Sequence, residues 1–394
     1  MQLTNKPSIK FKPLPLNLYS PIILLLIIAG LLVSLYLSYS HFKIYTDIEY
    51  QSFCAISQTI NCETVSQSKY AVFLNVPIAS WGVLGYVLLL TIFLISIQII
   101  KKRIRLLTSQ FLILLLFSCI SLYLGIVSSL LIDAYCIMCI ASWVINFSLL
   151  FLFWLIRQRI ETLSLMSSFK KDFHLLKKNK TCAVTLIIIF SLLAGSLIMY
   201  YPKYWNLQPP HNSTQISTGI TENGHPWIGA ENPQVTIIEF SDYLCFQCKK
   251  MHFFLRNFVA KYPDKLRLVH RHFPMDHKFN PIVKKPFHSG AGILSLIAIS
   301  SIEKNNFWDT NDYLFNYEVK NSAIWLRQIA KDLDIDLKEL QQRINKKANR
   351  IKLSKDIIFG IKKKIDGTPT YIINGHVYIG HIPKKIIQSL DKQI

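Results

Sequence analysis

The sequence predicts a bundle of membrane-spanning α-helices followed by a separate α/β domain. Three observations predict it: long apolar runs in the first half, a polar Pro/Asn/Ser/Thr-rich stretch near residue 205, and a strand–helix–strand pattern beyond it. With 394 residues, 51% hydrophobic and 17% charged, the chain is too apolar for one water-soluble domain. Apolar runs occupy Pro21 to Tyr39, Pro77 to Ile100, Leu106 to Ile132, Ala134 to Ile156 and Thr181 to Tyr201. Each is long enough to cross about 30 Å of hydrocarbon at 1.5 Å per residue. Asp133, the acid among them, marks a tight turn between the third and fourth spans.

The net charge of +21 is explained by topology rather than by nucleic acid. Lys6, Lys10, Lys12, Lys101, Lys102, Arg103, Arg105, Arg157, Arg159, Lys170, Lys171, Lys177, Lys178 and Lys180 all fall on one side of the spans, against Lys43 and Lys69 on the other. The positive-inside rule then predicts a cytoplasmic N-terminus and an outer C-terminal portion. Beyond Thr221, 27 Lys and Arg stand against 17 Asp and Glu, an excess suited to a solvated surface near anionic lipid. The first span lacks a small-residue cleavage site and reads as a retained helix.

Residues 41–75 read as an outer, re-entrant or interfacial loop, and Pro202 to about Asn232 as a flexible tether. In the domain that follows, Val235–Phe240 and Leu266–His272 read as strands and Phe246–Tyr262 as a helix. Pro286 to Ile361 reads as a long helix-favouring insertion. Thr370–Asn374 and His376–Ile379 form a hairpin about Asn374-Gly375, and Pro383–Leu390 a last helix.

The cysteines carry the chemistry. Cys54, Cys62, Cys136, Cys139, Cys245 and Cys248 fall on the outer side or its boundary as three pairs. Cys119 and Cys182 read as small apolar residues of their helices. Taken alone, Cys54 and Cys62 fit a static disulfide equally well, Cys136 and Cys139 fit helix packing, and two C-x-x-C units have the thiolates for zinc. Cys245-Phe246-Gln247-Cys248 is the strongest signal. A C-x-x-C that follows a strand and opens a helix offers its first sulfur to unpaired N–H groups and the positive helix end, which favours thiolate, the attacking species. Thr368-Pro369 ahead of a strand is a candidate cis bond. Glu239, on a strand expected to be buried, is a candidate proton carrier or a partly exposed acid.

Phe240-Ser241-Asp242-Tyr243, the Gly367-Thr368-Pro369-Thr370 segment and the helical insertion between them resemble the DsbA-like branch of the thioredoxin superfamily, and Glu239 matches that family's buried acid. Cys62-Glu63-Thr64-Val65-Ser66-Gln67-Ser68-Lys69-Tyr70, Trp81-Gly82 and Cys136-Ile137-Met138-Cys139 resemble the vitamin K epoxide reductase family. The resemblance implies a four-helix catalytic core plus a fifth transmembrane helix, then a thioredoxin-like domain with a helical insertion. The expected domains are an N-terminal tail (1–17), a membrane domain (18–158), a basic loop with the fifth helix (159–201), a linker (202–223) and a DsbA/thioredoxin-like domain (224–394).

The resemblance further implies a multi-pass protein of the inner (cytoplasmic) membrane, with its active cysteines on the periplasmic side. Electrons from reduced, Cys-containing exported proteins would pass to Cys245 and Cys248, then to Cys54 and Cys62, then to Cys136 and Cys139, and finally to ubiquinone or menaquinone of the membrane pool. In that scheme Cys139 faces the quinone, Cys136 exchanges with Cys62, Cys54 meets the thioredoxin-like partner, and Ser68 helps hold the site. Trp81 and Trp143 are the expected quinone contacts; no amide lies near Ile78, where animal relatives use one. No metal is expected. The Phe246-Gln247 dipeptide departs from the Pro-His of strongly oxidising relatives and leaves the potential open between about −120 and −270 mV. The alternatives are a reductase or isomerase running the opposite way, and a membrane-anchored chaperone with structural disulfides.

Overall fold

The computed structural model describes residues 16–56, 59–100, 106–160, 165–178, 180–210, 216–317 and 325–393. The cations at 6–12 and 101–105, and positions 211–215 of the expected linker, lie outside them. The chain forms two compact units, one of residues 1–44 and 51–203, the other of 45–50 and 204–394.

The first unit is helical. Its long elements are α1 (Leu16–Thr46), α3 (Ile78–Ile100), α4 (Leu107–Val127), α5 (Ile137–Ile160) and α7 (Lys180–Tyr200), and among the described residues five helices are long and apolar enough to span a membrane. Ile23 and Ile27 of α1, Leu89 and Phe93 of α3, Leu114 of α4 and Leu149 and Phe153 of α5 form its core. The α1–α3 approach is close because Gly30 has no side chain: a Cβ there would meet the Tyr86 ring at 2.2 Å. Outward-facing side chains such as Leu25, Leu116, Leu122 and Phe151 are apolar and exposed, as a lipid-facing surface requires. Short elements cover one end: α2 (Cys62–Gln67) and the two-residue strands β1 (Val72–Phe73) and β2 (Val76–Pro77). At the other end lies amphipathic α6 (Leu165–Lys178). Asp172 of α6 is buried and accepts hydrogen bonds from Ser109 N (2.8 Å) and Oγ (3.0 Å) in the first turn of α4, satisfying donors that a helix start leaves free.

The second unit is a six-stranded sheet in the order β3-β4-β6-β5-β7-β8. Its strands are β3 (Thr218–Ile220), β4 (Pro226–Gly229), β5 (Val235–Ser241), β6 (Leu266–His272), β7 (Thr370–Ile373) and β8 (His376–Ile379). The central pair β5/β6 is parallel and β7 runs antiparallel to β5. Gly229, at φ +115°, is required by the backbone: a Cβ there would lie 2.0 Å from Leu266 O. Helix α8 (Phe246–Lys261) follows β5 directly. Between β6 and β7 come α9 (Ala291–Ser301), α10 (Phe307–Asn316), α11 (Trp325–Asp332), α12 (Leu337–Asn345) and α13 (Lys347–Lys362), and α14 (Lys384–Gln393) ends the chain.

Register sets the polar centre of this unit. Glu239 pairs with His270 on one side and Tyr371 on the other, and the period of two puts His272 on the same face as His270. On the opposite face Arg271 lies 3.8 Å from the Phe359 ring centroid, and its Nε donates to Asp356 Oδ1 at 2.8 Å, locking α13 to the sheet.

The helix-favouring stretch from Pro286 holds several helices, separated where Asn305 (φ 55°) and Asp334 (φ 52°) turn left-handed, a conformation Asn and Asp tolerate. Two expectations need correction. Strand β3 lies inside residues 202–223, read as a flexible linker, and β4 inside the longer tether; both are short strands defined by the neighbours they pair with. Helix α1 runs beyond its apolar run to Thr46, because Ser40, His41 and Lys43 are compatible with helix even where they are not apolar.

The α8–α10 contact is ionic. Arg256 is 1% exposed; its Nε and Nη2 reach both oxygens of Asp312 at 3.2 and 2.9 Å, and His252 Nε2 lies 2.6 Å from the same carboxylate. Asp312→Ala strands a buried guanidinium and is expected to destabilise this unit by about 3–5 kcal/mol, measured as lost hydrogen-exchange protection in β5 and β6 of the full chain; unchanged protection would refute it.

Candidate active sites

Cys54 and Cys62 are joined in a disulfide with Cα atoms 5.6 Å apart. Cys62 opens α2, whose start is capped by Asn61 Oδ1 accepting from Glu63 N (2.9 Å) and Thr64 N (3.2 Å). The loop is stitched to the chain before α5: Asn61 N donates to Tyr135 O (2.9 Å) and Tyr135 N to Thr59 O (2.7 Å). That stitching gathers Cys54, Cys62 and Cys136 into one buried cluster, with Cys139 packed against it. Asp133 adopts φ 56° at the turn expected there, and Ser128 Oγ donates to Ala134 O behind it. Cys139 N donates to Cys136 Sγ at 3.2 Å. Ser68 bonds Val65 O through its Oγ at 2.8 Å, closing α2.

A cavity of about 250 Å³ adjoins these sulfurs, lined by Cys62, Cys136 and Cys139. Its walls are mainly apolar, including Leu37, Val65, Ile78, Phe117 and Leu124, and both expected tryptophans, Trp81 and Trp143, line it, as does Ser68. Trp81 is held by Nε1 donating to Phe73 O at 3.0 Å. The cavity also contains a polar cluster that the sequence reading missed. Tyr86 OH donates to Asn146 Oδ1 at 2.6 Å, and Asn146 Nδ2 donates to Ser121 Oγ at 2.9 Å. An amide is thus present, brought by α5 rather than the start of α3. The signal was available: Asn146 is a mid-span amide two helical turns after Cys139, on the same face.

The second site opens α8. Cys245 is its N-cap, with Cys248 N donating to Cys245 Sγ at 3.3 Å. The Thr368–Pro369 bond is cis, and Cys245 Sγ lies 3.5 Å from Thr368 O. The two thiols differ sharply. A hydrogen bond from the Cys248 thiol lowers the Cys245 pKa, against opposing burial, while burial first and then the Cys245 sulfur push Cys248 well up. One sulfur is therefore disposed to ionise and the other to keep its proton.

Glu239, on β5 ahead of this turn, is fully buried. Burial alone would raise its carboxyl, but His252 (3.4 Å) and His270 (2.7 Å) hold it down to about 2. His252 sits between Glu239 and Asp312; burial disfavours its charge, yet the two carboxylates raise its pKa. His270 Nε2 lies 3.3 Å from His272 Nδ1, and burial holds His272 well below the ordinary histidine value. Glu239 is thus part of a buried imidazole–carboxylate network. Only its acid was picked out in the sequence, because residues on α8, β6 and α10 converge through the fold.

Comparison with known proteins follows the same division. The model of the vitamin K epoxide reductase family matches residues 21–154, and a model described as thioredoxin matches residues 221–392. The chain is 24% identical over 152 residues to the Na(+)/H(+) antiporter NhaA 3 of Salinispora tropica, covering 39% of this chain and 22% of that protein. It is 26% identical over 182 residues to disulfide bond formation protein D of Bacillus subtilis, covering 44% of this chain and 78% of that one. Among solved structures, oxidised BdbD from Bacillus subtilis has 21% identity and a TM-score of 0.35, over 45% of this chain and 96% of that chain. The chain thus joins a domain of the vitamin K epoxide reductase family to a thioredoxin-like domain.

Proposed function

We propose that this membrane thiol–disulfide oxidoreductase oxidises pairs of thiols in exported proteins and delivers the electrons to a membrane quinone. The observation that carries the reading is the clustering of Cys54, Cys62 and Cys136 beside Cys139 at an apolar, aromatic-lined cavity. Thiol exchange requires sulfur contact, and a lipophilic acceptor requires an apolar cavity with a few polar groups.

In this reading a client thiolate attacks the Cys245–Cys248 disulfide at Cys245. A second client thiolate then displaces Cys245, leaving the client oxidised and the pair reduced. The Cys245/Cys248 dithiol reduces Cys54–Cys62, which in turn reduces a Cys136–Cys139 disulfide. The latter dithiol gives two electrons and two protons to the quinone, which becomes a quinol. Glu239 and its histidines accept the proton that Cys248 must lose to re-form its disulfide. Asn146, Ser121 and Tyr86 would offer polar groups to the quinone oxygens and Trp81 and Trp143 apolar surface to its ring, since all five line the cavity. The exchanging cysteines face the periplasmic side, and the quinone is ubiquinone or menaquinone. The family domain supports the quinone assignment, and the thioredoxin-like domain supports the exported thiol substrates.

Purified full-length protein supplied with a reduced two-cysteine peptide and a soluble quinone is expected to form quinol one-for-one with peptide disulfide. Changing any of Cys54, Cys62, Cys136, Cys139, Cys245 or Cys248 to Ser reduces this to background. Turnover that survives in Cys139→Ser or Cys245→Ser would end the relay reading, and a Cys245/Cys248 potential near or below about −270 mV would favour outward reduction.

Asn146→Leu frees Tyr86 and Ser121 from the side chain that orients them and removes the hydrogen bond proposed to a quinone oxygen, worth about 1 kcal/mol, so KM for quinone should rise about fivefold while exchange between peptide and Cys245 stays unchanged. An unaltered KM would remove Asn146 from the quinone site.

Because the Cys245 pKa is lowered, its thiolate persists to more acidic pH than that of an ordinary cysteine near 8.5. Its alkylation rate should rise with pH and level off below that range, whereas Cys248 stays unreactive there; a profile centred on the ordinary value would contradict the asymmetry.

A further inference from the structure

Phe246 and Gln247, between the two cysteines of α8, carry no charge, so a cationic partner for a Cys245 thiolate has to come from elsewhere in the fold. Residues 274–290, which follow β6, bring one. Two buried carboxylates fold this segment against the active-site turn. Asp276 Oδ2 accepts from Gly290 N (2.9 Å) and Gly292 N (3.3 Å). Asp242, three residues before Cys245, does more. Its Oδ1 accepts from Leu244 N at 2.7 Å, its Oδ2 from Met275 N at 2.6 Å, and the same Oδ2 lies 3.0 Å from His288 Nδ1. Its backbone oxygen accepts from Cys245 N at 3.2 Å. One fully buried carboxylate therefore fixes both the turn that presents Cys245 and the ring of His288. The imidazole is further set by stacking on Phe287 (centroids 4.0 Å apart) and by a left-handed backbone at φ 39°, a conformation unusual for a non-glycine residue.

We propose that His288, held on Asp242 as an imidazolium, is the positioning residue that supplies the positive charge for the Cys245 thiolate, in place of a cationic residue between the two cysteines. The proposal rests on the reading of Cys245 as the exchanging thiol and adds the group that sets its potential. When a client thiolate displaces Cys245 from the mixed disulfide, the S–S bond electrons stay on Cys245 Sγ, and His288 stabilises that leaving anion. No proton moves in this step.

The electrostatics run both ways. Beyond the hydrogen bond from Cys248 and the opposing burial, Asp242 acts to raise the Cys245 pKa and His288, the next smaller influence, acts to lower it. Burial disfavours the His288 charge, but Asp242, Cys245 and Asp276 outweigh it and raise the His288 pKa. His288 keeps a partly exposed side chain, 21%, so its replacement leaves the core intact.

The test uses the full-length, detergent-solubilised protein, with Cys245 alkylation followed by peptide mass spectrometry across pH. His288→Gln should move the Cys245 midpoint upward by about half a pH unit or more, a threefold loss of thiolate below the midpoint. The glutathione equilibrium of the Cys245/Cys248 pair should move toward the disulfide by up to the same factor, because the reduced form loses its stabilisation. His288→Lys, which retains a cation, should stay near the parent profile. A Gln profile that superimposes on the parent, or a Lys profile displaced as far as Gln, would overturn the proposal.

A second measurement needs no substitution. C2–H exchange of His288, read by mass spectrometry, should titrate at higher pH in reduced protein than in oxidised protein, since the coupling is reciprocal; identical midpoints would also refute the charge pair. None of these readouts involves quinone, so a protein that failed the relay assay would still decide the role of His288.

Discussion

Sulfur exchange works only between sulfurs that touch, and in the membrane unit that contact depends on two backbone hydrogen bonds. Asn61 N to Tyr135 O and Tyr135 N to Thr59 O tie a loop to the segment ahead of α5, across more than seventy residues of sequence. They add directional bonds to the side-chain packing that holds Cys62 near Cys136. With them, three sulfurs share one buried cluster and the cavity has one wall of cysteine. The Asn61 cap and the Ser68 bond to Val65 keep α2 wound, so Cys62 keeps its place within the loop.

The two units reach the same local solution by different means. In both, a C-x-x-C begins a helix, and the N–H of the second cysteine is directed at the first sulfur, at 3.2 Å in one and 3.3 Å in the other. A helix start has donors to spare, which makes it a natural place for a sulfur that must carry negative charge. The surroundings then differ. The membrane pair adjoins an apolar cavity, while the soluble pair follows a strand whose buried carboxylate is shared by imidazoles. This difference is consistent with the proposal that one dithiol meets a lipophilic acceptor and the other meets soluble protein.

Much of this was legible in the sequence because it is written in local patterns. Apolar run lengths mark the five spans, alternation marks β5 and β6, and C-x-x-C after a strand marks the start of α8. Asn374-Gly375 marks the β7–β8 turn, and both residues have positive φ. What was hidden depends on convergence. Strands β3 and β4 are too short to announce themselves and gain definition only from pairing. Asn146, Tyr86 and Ser121 come from three helices and meet only in the packed bundle. The network around Glu239 draws its members from a helix, a strand and the insertion, so one acid was visible and its network was not. His288 lies more than forty residues from Asp242, the carboxylate it contacts, and belongs to no motif.

The crosslink between Cys54 and Cys62 spans a sequence separation of only 8. So short a ring constrains the unfolded chain modestly, by about 2.6 kcal/mol on the chain-entropy account. The loop has other fastenings: Glu63 Oε1 accepts from Ser52 N at 2.5 Å, and the bridges to Tyr135 do not involve sulfur at all. Opening the bond would therefore leave the Glu63 and Tyr135 fastenings in place. If the pair carries electrons as proposed, it could alternate between its two oxidation levels without unwinding α2, unlike a disulfide that serves as a stabilising staple.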